Sequence, residues 1–224
     1  MEASVVTSPT LIDNLTSVVS PASMFDVEVP LLSRVFTLIA GSVSILCSLL
    51  IIFTYILWKD LQTMSRHLLL CLSIMDLIVA SSLLYGVIRD FQANTFECRV
   101  QSMLSTFAET STFFWTLSIA VYLYITIVKT NVELANKLCA VYHLVSWGVP
   151  AVCIGVVVSF GGLGWDHSNT TVGWCWVNLQ DEYAVLWMLL VGKLWELLAC
   201  VTLPVLCVLI KLHIHREVNT PIDY

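Results

Sequence analysis

A chain of 224 residues with 58% hydrophobic and only 12% charged side chains has a mean hydropathy of +0.87. A soluble domain carries about a quarter charged residues, so this composition excludes a water-clad globule and calls for lipid around the molecule. The net charge of −6 comes with no basic stripe, which excludes a nucleic-acid partner.

Residues 1–30 are polar, broken by Pro9, Pro21 and Pro30, and contain Glu2, Asp13, Asp26 and Glu28 but no Lys or Arg. They read as a flexible extracellular tail carrying a glycosylation sequon at Asn14. The tail lacks the basic and apolar regions of a cleaved signal peptide, so the first apolar span is expected to act as an uncleaved anchor.

Five apolar stretches follow, at about 32–58, 67–88, 99–128, 138–160 and 183–212, forming a predicted bundle over residues 31–212. Each can cross roughly 30 Å of hydrocarbon at about 1.5 Å per helical residue. An isolated strand would leave backbone groups unpaired in lipid, and no barrel-type alternation is visible, so the fold class is all-α: a polytopic transmembrane helix bundle. Residues 213–224 read as a cytoplasmic tail or the start of a third inner loop. His67, at the inner end of the second span, reads as a solvated helix end ahead of the alternative, a member of cytoplasmic polar contacts. His213 and His215 stand two apart and share no helix face, so no metal set is expected.

Orientation follows from Lys and Arg placement. Lys59, Arg66, Lys129, Lys137, Lys211 and Arg216 mark one side. On the other, Arg34, Arg89 and Arg99 stand against Asp90, Glu97, Asp166, Asp181 and Glu182. The expected protein is a multi-pass cell-membrane chain with its N-terminus outside and C-terminus in the cytoplasm. Both sequons, Asn14 and Asn169, then fall outside. Of eight cysteines, Cys47, Cys71, Cys153, Cys200 and Cys207 lie within spans and Cys139 sits near an inner end. Cys98 and Cys175 alone face the oxidising side, which predicts a disulfide between them.

Four ionisable residues lie deep in the spans: Asp76, Glu109, Lys193 and Glu196. Charges at that depth are expected to face the bundle and one another. Two readings stand level for Lys193 and Glu196: the floor of a ligand- or proton-sensing pocket, which Trp195 would adjoin, or an ion pair that fixes packing. Asp76 is expected in a water or ion network that couples helices.

Several motifs carry a resemblance. Trp115, Tyr122 and Leu123 keep the spacing of a Trp-x-x-x-Glu-Gly-x-Tyr-Leu pattern, and Trp147-Gly148-Val149-Pro150 is similar to a Trp-Gly-x-Pro motif. Cys175-Trp176, Cys98 and the run Leu72 to Leu77 fall in matching order. Together they resemble the secretin-like branch of the G-protein-coupled receptors, on the side facing the slime-mould cyclic-AMP receptors. The resemblance implies the first five helices of a seven-helix receptor fold. It implies a receptor passing the signal of an unidentified extracellular ligand to a heterotrimeric G protein, with no cofactor. The inner cleft would draw on Tyr122, Tyr124, Lys129 and Lys211, and Lys193 would approach Glu109 from a neighbouring helix.

Departures qualify the resemblance. No Cys precedes Pro30, so a cysteine-rich hormone-binding ectodomain is not expected there, and Ile119-Ala120 replaces the acidic residue and glycine of the third-helix pattern. A chain ending at Tyr224 is expected to be truncated before helices six and seven and not to signal alone. The alternative is a non-signalling truncated isoform that associates with the full-length receptor. A transporter or channel ranks behind both, for want of an internal repeat. No enzyme is expected, since no nucleophile–base pair, metal motif or phosphate loop is visible.

Overall fold

The computed structural model describes residues 21–165 and 172–219, so Asn14 and Asn169 lie outside the described residues. The elements are α1 (Pro21–Leu57), α2 (Met64–Arg89), α3 (Phe96–Ile127), a short α4 (Val132–Lys137), α5 (Cys139–Ser159), α6 (Ala184–Met188) and α7 (Leu194–Asn219). A wide, π-type turn over Leu189–Lys193 joins α6 to α7 within one continuous span. Among the described residues, five helical spans are long and apolar enough to cross a membrane. The protein is a membrane-embedded all-α bundle.

The first and third helices extend beyond the apolar stretches read from sequence. α1 starts at Pro21, inside the expected tail, and Pro is well suited to a first helical turn. α3 starts at Phe96 because Thr95 caps it: the Thr95 Oγ1 accepts from the Cys98 N–H at 3.2 Å.

The hub is α3, which packs against α2, α5 and α7, while α1 lies against α2. Small side chains permit the close approach: Ala108, Ser111, Ser118 and Ser146 are buried, and the Ser118 and Ser146 hydroxyls meet at 3.2 Å. Trp115, fully buried, stands edge-on to His143 and Trp147 at 5.0 and 5.7 Å. Two tryptophans that carry the family-like motifs thus pack together in one core. Outward, α1 and α7 present Leu46, Leu49, Ile56, Val201, Val205 and Val208, an apolar surface that suits lipid tails.

The α5–α6 connection folds back over one end of the bundle. Leu163–Gly164 and Trp176–Val177 form a two-residue antiparallel pair, with Leu163 opposite Val177.

Candidate functional site

Covalent chemistry fixes the roof of the site. Cys98, at the start of α3, is disulfide-bonded to Cys175 of the α5–α6 connection, with Cα atoms 5.5 Å apart and neither residue exposed. One turn along α3, buried Gln101 holds the same segment from a second direction. Its Oε1 accepts from the Cys175 N–H at 2.9 Å and its Nε2 donates to the Ser82 carbonyl of α2 at 3.2 Å. A single amide thus satisfies the buried Cys175 N–H, which has no helix ladder to serve it, and adds a second bond to a carbonyl inside α2. The Phe91 N–H donates to the Gly173 carbonyl at 3.0 Å, where Gly173 adopts φ +95°. Charged pairs fasten the rim. Arg34 meets Asp90 at 2.8 Å and the Val87 carbonyl at 3.2 Å, and Arg89 meets Glu97 at 2.6 Å.

Gly86 permits the seating of this roof. A Cβ there would lie 2.5 Å from the Trp174 Cβ and 2.9 Å from the Trp174 Cα, and the backbone atom cannot swing aside. Gly86→Ala should therefore lift the 172–177 segment and cost about 1–3 kcal/mol, as overpacking does. Thermal unfolding in detergent would read this as a lower midpoint, together with faster hydrogen exchange at the Cys175 amide. An unchanged midpoint and unchanged exchange would refute the role given to the glycine.

Below the roof, α3 and the fifth span converge on three charges. Lys193 Nζ and Glu196 Oε2 pair at 2.7 Å, both side chains about half exposed. Glu109 of α3 lies within electrostatic reach of both but forms no ion pair with either, and like Lys193 it is exposed and not turned into the bundle as expected. Lys193 sits about 14 Å along the axis from the start of α6, which is bilayer depth. A half-exposed ion pair at such depth is costly against lipid, and a polar, water-filled or protein-lined space suits it better. Trp195 also packs on α3: its ring meets Phe114 at 5.0 Å, and its Nε1 donates to the Leu190 carbonyl at 2.7 Å. The Thr110 hydroxyl stands between two carbonyls, that of Thr106 in its own helix and that of Val191, and its one proton is shared between them. These two side chains take up carbonyls of the wide turn, where one extra residue per turn disturbs the regular ladder.

The remaining residues singled out from sequence fall elsewhere. Asp76 is not with the other three charges. It lines a cleft of about 320 Å³ between α1 and α2, with Thr37, Ser44 and Trp174, and makes no hydrogen bond or ion pair among the described residues. A larger apolar cavity of about 610 Å³ opens between α2 and α3, with Glu97 among its lining residues. At the opposite end of the bundle, Lys129 and Lys211 are exposed and Tyr124 is half-buried. Tyr122 is buried, and its hydroxyl points to the Asn136 Oδ1 at 3.5 Å. His67 is not a solvated helix end: its Nε2 lies 3.1 Å from His143 Nε2. Gln101, Gly86 and this His pair were missed from sequence, and in each the partner lies on another element.

A profile describing the "7 transmembrane receptor (Secretin family)" matches residues 31–221. The chain is 48% identical over 192 residues to "G-protein coupled receptor 157" of Mus musculus, covering 85% of this chain and 58% of that protein. The Homo sapiens counterpart is 46% identical over 192 residues, covering 85% and 57%. "Cyclic AMP receptor-like protein A" of Dictyostelium discoideum is 25% identical over 139 residues, covering 62% and 35%. The chain thus spans just under three fifths of the length of its mammalian relatives.

Proposed function

The chain belongs to the secretin family of seven-transmembrane receptors, and on that premise we propose that it is the signal-receiving portion of a receptor that acts on a heterotrimeric G protein. The observation that carries this reading is the charged trio of Glu109, Lys193 and Glu196 at bilayer depth, beneath a roof tied down at Cys98 and Gln101. A ligand or proton entering from the disulfide end meets these charges and competes for the Lys193–Glu196 pair. The wide turn over Leu189–Lys193 is the element that two arrangements of the fifth span would share. Lys129, Lys211 and Tyr124, at the far end, are the side chains offered to a G protein, while Tyr122 braces α4 through Asn136.

In this reading the disulfide end is extracellular, since a Cys pair persists in an oxidising compartment. Lys59, Arg66, Lys129, Lys137, Lys211 and Arg216 then face the cytoplasm, which agrees with the usual basic bias of inner loops. Asn14 and Asn169 would be open to glycosylation.

The test is a chimera in which residues 31–221 replace the matching segment of the mouse relative. The chimera should reach the cell surface and match its parent in basal guanine-nucleotide exchange on whichever Gα class the parent drives. Surface delivery with no exchange on any class that responds to the parent would overturn the proposal.

A further inference from the structure

We propose that His67, Cys71 and His143, completed by Cys139, form a zinc(II) site that clamps the start of α2 to the start of α5, at the end of the bundle remote from the disulfide.

The placement comes from two complementary pairs. His67 and Cys71 are four residues apart on α2, and Cys139 and His143 four apart on α5, so each pair shares one helix face. The two faces meet. His67 Nε2 and His143 Nε2 are 3.1 Å apart, and the ligand atoms of His67, Cys71 and His143 all lie within 4.8 Å of one another. Cys139, on the same face of α5 as His143, stands outside that cluster and reaches the fourth position by turning its side chain inward. A tetrahedral zinc with Zn–N of about 2.0–2.1 Å and Zn–S of about 2.3 Å separates its ligands by roughly 3.3 Å (N to N) and 3.6 Å (N to S). The two imidazoles already stand near that spacing, and the thiol, within 4.8 Å of both, has at most about 1 Å to close.

Donor chemistry selects the metal. Two sulfurs and two ring nitrogens disfavour calcium and magnesium, which take oxygen ligands, and suit zinc. Both thiols give up their protons to solvent on binding, and the two thiolates neutralise the dication. The filled site would then bring no net charge into a low-dielectric bundle end, a condition that an oxygen-poor, half-buried cation site must meet. Cys71 is buried, while both histidines and Cys139 are partly exposed, so the site also has an entry path from the aqueous side.

The metal-free arrangement is consistent too, and it defines a competition. The Trp147 Nε1–H donates to His143 Nδ1 at 3.2 Å, which puts the ring proton on Nε2 and lets it donate to His67 Nε2. Zinc takes the lone pair of His143 Nε2, so the ring proton must migrate to Nδ1 and the Trp147 bond is lost. Zinc and Trp147 therefore compete for one tautomer of His143. The site is independent of the receptor reading, since it uses none of the residues assigned to signal reception.

The test is zinc binding by the whole chain in detergent micelles, measured by chelator competition, with cobalt(II) as a spectroscopic substitute. One zinc per chain is expected, and cobalt should show tetrahedral d–d bands with thiolate charge transfer that weakens in Cys139→Ser. His143→Gln and Cys71→Ser should each lower affinity by roughly a hundredfold or more. Trp147→Phe should raise it several-fold, by about the worth of one hydrogen bond. Cys207→Ser, on the exposed face of α7, should change nothing. If Cys71→Ser fails to match the wild-type circular dichroism, the half-exposed His67→Gln provides the same readout. Less than one zinc per chain, or equal affinity for the wild type and a well-folded His143→Gln, would overturn the site.

Discussion

Cys175→Ser is expected to lose about 2–4 kcal/mol of stability and most of its surface expression. The bridge spans 77 residues of sequence, and chain-entropy estimates for a loop of that size come to roughly 4–5 kcal/mol. The lower expectation reflects a reference state in which the intervening spans are already confined by the bilayer. Gln101→Ala should cost about 1–3 kcal/mol, since it leaves the buried Cys175 N–H without a partner and removes a second bond from the Ser82 carbonyl. The two changes act on one segment. Once the bridge is gone the 172–177 strip is free to leave Gln101, so the double variant should cost less than the two single costs added together. Thermal unfolding of the four chains in one detergent gives the cycle directly. Strict additivity would show that the bridge and the amide hold separate parts of the roof.

Gln101 also marks where sequence stops being informative. The five spans were legible because lipid imposes a coarse, one-dimensional requirement: enough apolar residues in a row, whatever their order. Cys98 and Cys175 were legible by elimination, as the two cysteines on one side. Neither logic reaches a glutamine whose partner amide lies 74 residues away, or a Gly86 whose meaning is the backbone of Trp174 resting on it. Charge direction was not readable: Asp76, expected with the other charges, lines the α1–α2 cleft. His67 looked like a helix end facing water because His143, 76 residues later, cannot be foreseen from local pattern. Hydropathy is likewise blind to the wide turn at Leu189–Lys193, since one added residue leaves the mean unchanged while rotating everything beyond it.

That rotation underlies the second large expected effect. Thr110→Val and Trp195→Phe should each cost about 1–3 kcal/mol, because each removes the donor that serves a carbonyl of the turn, at Val191 or Leu190. Phe at 195 keeps a ring against Phe114, so packing is largely conserved and the hydrogen bond is what changes. The double variant has a further course open to it. With both donors gone, the turn recovers its bonds by tightening into ordinary α-helix, which advances α7 by one residue, a rotation of about 100°. Resistance comes from the α3–α7 packing, which is shallow, since Ala199 is the one deeply buried residue of α7 among those described. The double variant should therefore cost less than the two single variants combined, and it should carry Glu196 away from Glu109. Hydrogen exchange across residues 189–196 would slow as the regular ladder forms, even as overall stability falls. Additive losses with unchanged exchange would mean that the turn is held by something other than Thr110 and Trp195. In that event the fifth span has one register, and a ligand at Lys193 would have no second arrangement of it to select.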